Sequence, residues 1–354
     1  MKNVLLFNSL LFIFFSCTRT TTIEDQTTNS QLVDTSKIMT TIAFGSCNKE
    51  NLSQSIWQPI SNNNPDLWIW LGDNIYGDSE DPNVLEGKYN RQKANPNYRK
   101  FIEQTPVIGI WDDHDYGQND GNKTHPIKKE SQQLLLDFLD VPANATVRTQ
   151  EGVYQSYTFG QGNQKVKVLL LDTRYFRDEL QKNPTKSGQR YLPNETGTIL
   201  GETQWQWLES ELTNSDAQIH IIGGSIQMIP EQHNYEKWAN FPIEYDKLFN
   251  LIEKTQPNQP ILVSGDRHLA EISTINLSKM NQPLYEITSS GLTHSYEKVL
   301  EKGEVNAHRV GDKLTGKKNF GVFHIDWSSS PPSVKVEIRD IENEVIFDEV
   351  IEAF

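Results

Sequence analysis

The sequence predicts an α/β fold, on three observations. Short apolar runs alternate with stretches of helical spacing from about residue 41 onward, beginning as a strand, a short helix and a second strand. Several of these runs are apolar at every position, as strands covered on both faces are. Four of them break off into a cluster of polar side chains, and in open α/β sheets the ends of strands are where sites are assembled.

The four stretches are Thr41-Ile42-Ala43-Phe44-Gly45-Ser46-Cys47-Asn48, Leu67-Trp68-Ile69-Trp70-Leu71-Gly72-Asp73-Asn74-Ile75-Tyr76, Val107-Ile108-Gly109-Ile110-Trp111-Asp112-Asp113-His114-Asp115 and Ile261-Leu262-Val263-Ser264-Gly265-Asp266-Arg267-His268. Gly72 lets the backbone turn without a Cβ in the way, so the carboxylate of Asp73 and the phenol of Tyr76 share one loop and can reach a single cation. Together the four stretches carry hard oxygens, a thiol and imidazoles, the donor types of a polynuclear metal centre.

Residues 53–60 form a short helix between the first two strands. The polar stretch 78–97, with Pro82, Gly87 and Pro96, reads as a surface insertion lying over the site. Residues 98–104 end a helix that leads into the third strand. Asn119, Asp120, Gly121 and Asn122 have the composition of a calcium loop without the full EF-hand pattern. Leu135, Leu136 and Leu139 mark the core face of a helix over 127–139. A hairpin over 153–159 and 166–171 ends in Asp172, Thr173 and Arg174, and a guanidinium there matches phosphate oxygens.

Trp205, Leu208 and Leu212 lie at helical spacing and read as core. The strand over 219–222 ends in Gly223-Gly224-Ser225-Ile226-Gln227, where Gln227 is expected to line the site without binding metal. After a helix over 245–254 and the strand before Asp266, the runs 286–290, 322–326, 334–338 and 345–351 read as a second sheet. His220 and His324 are expected to pack within strands, His125 to lie on a surface loop, and His294 to approach the pocket without ligating.

Composition narrows the function. The apolar fraction of 36% and the eight Trp supply a sizeable core, and the formal net charge of -14 excludes a general nucleic-acid-binding surface. Residues 1–16 read as a signal peptide of lipoprotein type, with Lys2, an apolar stretch from Val4 to Phe15, and Cys17 as the lipidated residue. Residues 17–38 read as a lipidated flexible tether, and 39–354 as one domain. The implied location is outside the cytoplasm, anchored to a bacterial membrane. With Cys17 lipidated, Cys47 is left unpaired in an exported chain, and metal ligation accounts for it.

The set F-G-S-C-N, L-G-D-N-I-Y-G-D, W-D-D-H-D and S-G-D-R-H resembles the PhoD-like alkaline phosphatases, a branch of the calcineurin-like metallophosphoesterases. Leu171-Asp172-Thr173-Arg174, Thr288-Ser289-Ser290-Gly291-Leu292-Thr293-His294 and Asn319-Phe320-Gly321 resemble the same family, so the likeness runs from about Thr41 to about Asp326. It implies a four-layer αββα sandwich of two central mixed sheets flanked by helices. It also implies a metal-dependent hydrolase of phosphate esters, and the chain is expected to be a monomer. The chain departs from the family in lacking a twin-arginine leader and in leaving little room for an N-terminal β-domain.

With Asp73 as a bridge, the first ion is expected to take Cys47, Asp73, Tyr76 and His268, and the second Asp73, Asp113 and Asp266. Phenolate with thiolate suits Fe3+, and an all-oxygen set suits Ca2+, with Mn2+, Mg2+ or Zn2+ as alternatives. The resemblance implies the same iron and calcium pair. Two cations lower the pKa of a bound water towards about 7, and the resulting hydroxide attacks phosphorus. His114 is then expected to steady the transition state or protonate the leaving oxygen, and Arg174 and Asn74 to hold the substrate. Two alternatives stand beside this reading: a phosphodiesterase acting on lipid, teichoic-acid-like or nucleotide diesters, and a catalytically dead, lipid-anchored binding protein.

Overall fold

The computed structural model describes residues 33–185 and 188–351. Its first third runs β1 (Thr41–Gly45), α1 (Trp57–Asn62), β2 (Leu67–Leu71), α2 (Pro82–Ala94), α3 (Pro96–Ile102), β3 (Val107–Ile110), α4 (Asp113–Tyr116) and α5 (Lys128–Phe138). Then come β4 (Gln155–Phe159), β5 (Val166–Leu170), the short pair β6 (Gln181–Lys182) and β7 (Tyr191–Leu192), α6 (Gly201–Thr213), β8 (Ile219–Gly223), α7 (Pro242–Thr255) and β9 (Pro260–Ser264). The chain closes with β10 (Ala270–Ile275), β11 (Leu284–Ser289), α8 (Val299–Lys302), β12 (Arg309–Thr315), β13 (Phe320–Asp326), β14 (Ser333–Arg339) and β15 (Val345–Ile351).

Two large mixed sheets result, in the orders β15-β14-β13-β1-β2-β3 and β12-β10-β11-β9-β8-β5-β4. Strands β1, β2 and β3 are parallel to one another, as are β5, β8, β9 and β11, so their carboxyl ends point the same way within each sheet. Side-chain alternation then sorts the core into layers. Val168 and Leu170, Ile219 and Ile221, and Ile261 and Val263 join Phe44, Ile69 and Leu71 in one core between the sheets. Leu169, Ile222 and Leu262 face the other way, onto Trp205, Leu208, Leu248 and Ile252 of α6 and α7. Across the first sheet, Trp68 and Trp70 meet Trp57 of α1 edge-on, with ring centroids 5.2 Å apart in each pair. The architecture is the four-layer αββα sandwich.

Three expectations are corrected. Strands β13, β14 and β15 extend the first sheet, with β13 antiparallel to β1, while β11 lies in the other sheet beside β9. An apolar pattern specifies a strand and its faces but not its neighbour. The stretch 78–97 is helical: Asp81 caps α2 by accepting from the Asn83 N–H at 3.0 Å, and Pro82 occupies the first turn, where its missing N–H costs nothing. The low apolar content of that helix hid it, since only Leu85, Tyr89 and Gln92 are buried. The tether ends earlier than residue 38: Val33 packs against the core, the Thr35 carbonyl accepts from Gly160 N at 2.9 Å, and Lys37 pairs with Asp66 at 2.7 Å. The leader and Cys17 lie outside the described residues.

Candidate metal centre

Each candidate ligand leaves its strand through a tight backbone turn. Gly72 has φ +94°, and a Cβ there would lie 2.5 Å from Asp112 Cβ, so only glycine lets the β2 and β3 ends approach this closely. Cys47, Asp73, Asp266 and His268 follow with φ of 61°, 50°, 65° and 54°. Left-handed conformations in non-glycine residues cost on the order of 1 kcal/mol each and persist where the surroundings fix them. Here the loops fix one another. Asn48 N donates to Asp73 O at 2.8 Å, Gly77 N to His114 O at 3.0 Å, and Gly265 N to Ser225 O at 2.9 Å. Asp115 ties the β2 and β3 ends together by accepting from the N–H of Asp112 at 2.6 Å, of Asp73 at 3.3 Å and of Asn74 at 3.1 Å.

Four donor types converge at one point. Cys47 Sγ is 3.3 Å from Asp73 Oδ2, Tyr76 Oη is 3.1 Å from the same oxygen, and Tyr76 Oη is 2.9 Å from His268 Nε2. Ser290 Oγ lies 3.0 Å from Cys47 Sγ and accepts from His268 N at 2.8 Å, holding thiol and imidazole in place. Ligand atoms of Cys47, Asp73 and His268 all lie within 4.8 Å of one another, and so do those of Asp112, Asp113 and Asp266. Asp73 and Asp113 group in turn with His114, which links the two sets.

The charge balance is uneven. Asp73, Asp112, Asp113, Asp115 and Glu236 are buried and Asp266 is half-buried, against the buried guanidinium groups of Arg174 and Arg177. Burial, and then the carboxylates of Asp113, Asp112 and Asp115, push the Asp73 carboxyl well above its ordinary range despite His114 nearby. Burial and the Asp73 carboxylate likewise push up the Cys47 thiol and the Tyr76 phenol. Burial raises Asp115 to about 8. Burial opposes the charge on His114, but Asp73, Asp78 and Asp113 outweigh it and raise its pKa to about 10. Asp112 Oδ2 and Asp113 Oδ1 are buried without a partner. Buried carboxylates that outnumber their countercharges and leave oxygens unpartnered are costly unless cations bind, so the residues present fit a metal centre.

The structure brings together the whole expected first set, Cys47, Asp73, Tyr76 and His268. It places Asp113 and Asp266 together with Asp112, which sequence reasoning gave no role, and Asp73 adjoins through His114. His114 Nδ1 lies 2.6 Å from Asp78 Oδ1, and its backbone N–H reaches Asp73 Oδ1 at 3.3 Å. His294 approaches the pocket, its ring 4.8 Å from Tyr76 and 4.4 Å from His268.

Other assignments are corrected. Arg174 does not face a substrate. Its Nε donates to Asp112 Oδ1 at 2.7 Å, its Nη2 to the same oxygen, and its Nη1 to Glu236 Oε2 at 2.6 Å, with all three side chains buried. A strand-end position does not reveal which way a long side chain runs. Asn74 is also turned inward, its amide donating to Ile110 O at 3.0 Å and Asp115 Oδ2 at 2.7 Å. Gln227 serves Glu271 and Thr288, at 2.7 and 2.8 Å, within the second sheet. His125 is buried against Tyr116 rather than on a surface loop. His220 is packed as expected, while His324 keeps an accessible edge and meets Glu337 at 3.1 Å.

Sequence reasoning missed Glu236. It lies in a loop with no strand-end pattern, yet it pairs with Arg174 and with Arg177 at 3.0 Å. Asp113, Asp120 and Glu236 form a further acidic group. Asp120 belongs to the calcium-like loop, and its N–H donates to Asp113 Oδ2 at 2.6 Å.

Two mixed sheets between helices, with a thiol, a phenol, imidazoles and crowded carboxylates at their strand ends, define a domain of the metallophosphoesterase type. The model of the PhoD-like phosphatase family matches residues 42–329, and the chain belongs to that family. Alkaline phosphatase D from Bacillus subtilis (strain 168) is 22% identical over 295 residues, covering 71% of this chain and 48% of that one. The chain thus spans about half the length of that relative. The solved structure of PhoD superposes with a TM-score of 0.66 at 17% identity, over 89% of this chain and 68% of that one. A dimetal phosphatase from Danio rerio gives 0.54 at 13% identity, over 90% and 100%. GAP50, the anchor in the inner membrane complex of Plasmodium, gives 0.55 at 13%, over 90% of each chain. At these identities the structural likenesses show the fold alone.

Proposed function

We propose that this chain is an exported, lipid-anchored, metal-dependent hydrolase of phosphate esters. One observation carries the reading: Cys47, Asp73, Tyr76 and His268 meet at one point beside the carboxylates of Asp112, Asp113 and Asp266. Cys47, Asp73, Tyr76 and His268 would hold Fe3+ and the all-oxygen set would hold Ca2+, from the softness and charge of the donors. Such a pair neutralises phosphoryl oxygens and makes water acidic enough to attack phosphorus. Export rests on the apolar leader and Cys17.

The chain's own residues do the rest. Asp73 touches the donors of the first set and, through His114, those of the second, and so fixes their separation. Asp78 engages His114 Nδ1, which leaves Nε2 as the ring nitrogen able to meet a substrate oxygen. A protonated His114 there hydrogen-bonds a phosphoryl oxygen or hands its proton to the departing alkoxide. Asp112, clamped by Arg174, and Asp115, clamped by three backbone N–H groups, hold the loops to these positions before any ligand arrives.

The test is turnover by the metal-loaded full-length protein. A chromogenic phosphomonoester and its matching diester are each assayed with and without a chelator. Hydrolysis that the chelator abolishes supports the reading. An inert protein with its metals bound contradicts it and favours a binding protein built on this fold.

A further inference from the structure

Tyr76 has two unlike surroundings. Its hydroxyl meets Asp73 and His268, whereas its ring is enclosed by side chains that are cationic or donate hydrogen bonds. Lys49 Nζ lies 4.9 Å from the ring centroid, His114 packs on the ring at 4.2 Å, and His294 meets it edge-on at 4.8 Å. Among the described residues, Lys49 forms no ion pair, although the chain carries a net charge of -14 and the neighbouring pocket is crowded with acids.

Lys49 is mounted rigidly. Its N–H donates to Thr293 Oγ1 at 2.7 Å, and the preceding Asn48 is fixed through donation to Asn74 O at 3.0 Å and Gln92 Oε1 at 2.7 Å. The half-buried side chain therefore starts from a held point two residues from Cys47 and ends over Tyr76, with its ammonium uncommitted. A hydrated point charge on a flexible stem recognises phosphate without demanding one geometry.

We propose that Lys49 binds a non-bridging oxygen of the substrate phosphoryl group and tilts the site towards monoesters. The proposal rests on the phosphoesterase reading for the nature of the anion. A phosphomonoester carries close to two negative charges above its second pKa of about 6, and a diester only one. A cation beyond the metal ions therefore adds more to the binding of the monoester. A charge-assisted hydrogen bond of this kind is worth about tenfold in affinity.

The experiment is equilibrium binding of inorganic phosphate, phenyl phosphate and diphenyl phosphate to metal-loaded full-length protein, by calorimetry, with metal content measured alongside. Lys49→Met is expected to weaken phosphate and phenyl phosphate about tenfold, to change diphenyl phosphate less than about threefold and to keep its metals; Lys49→Arg is expected to restore most of the loss. An equal effect on monoester and diester, no effect on either, or loss of metal in Lys49→Met overturns the proposal. Because binding is read directly, absence of turnover in the wild type defeats the hydrolase reading and leaves the Lys49 comparison decisive by itself.

Discussion

Asp73 concentrates the demands of the site in one side chain. Its two oxygens meet the Cys47 thiol, the Tyr76 phenol and the His114 N–H, and its own backbone sits in the left-handed region. His114 has a different kind of position: its ring lies near Asp73 and Asp113, but its Nδ1 is engaged by Asp78, outside both expected ligand sets. Removing it should leave the donors in place. His114→Ala is expected to retain the metal content of the wild type and to lose about 10²- to 10⁴-fold in kcat, while Asp78→Asn loses less and alters the pH profile. Steady-state kinetics with metal analysis checks both. Equal metal loss in His114→Ala and Asp73→Ala would make His114 a ligand. Cys47, Asp73, Tyr76, Asp113, Asp266 and His268 were legible because each follows an apolar run at a strand end, where the chain turns outward. Glu236 and Lys49 were not, because loop residues acquire their neighbours only through tertiary packing.

At the scale of elements, the turn after β2 governs how near the first two acidic loops come. Gly72→Ala places a Cβ on Asp112 at a backbone angle that favours glycine, and is expected to destabilise the fold by at least about 2 kcal/mol while lowering metal affinity. Denaturant unfolding and metal titration check this; wild-type values in both would mean the loops tolerate separation. Strand β8 offers a prediction on pH. His220 is buried, donating from Nδ1 to Asn258 O at 2.7 Å and meeting Ser215 Oγ at 2.8 Å, and burial lowers its pKa from 6.5 to about 4. The unfolded chain binds this proton first as pH falls. The stabilisation is therefore complete above about 6.5 and lost between about 6.5 and 4, up to about 3 kcal/mol. His220→Gln should flatten the fall of Tm over that window. The apolar runs gave the strands and helices their places, but not their partners: nothing in the pattern of β13 says that it pairs with β1. Polar α2 escaped because its signal was a cap and a proline, not a stripe.

On the scale of the molecule, two sheets that share one core direct the turns after β1, β2, β3 and β9 towards the same region, and the acids gathered there exceed the cations that accompany them. That imbalance is the physical case for bound metal, and it is made by this chain's residues independently of any relative. The most direct measurement is elemental analysis of the purified full-length protein beside its Asp73→Ala variant. The account predicts about one iron with calcium per wild-type chain and loss of both in Asp73→Ala. A wild type free of bound metal, or a variant that binds as much as the wild type, would contradict it.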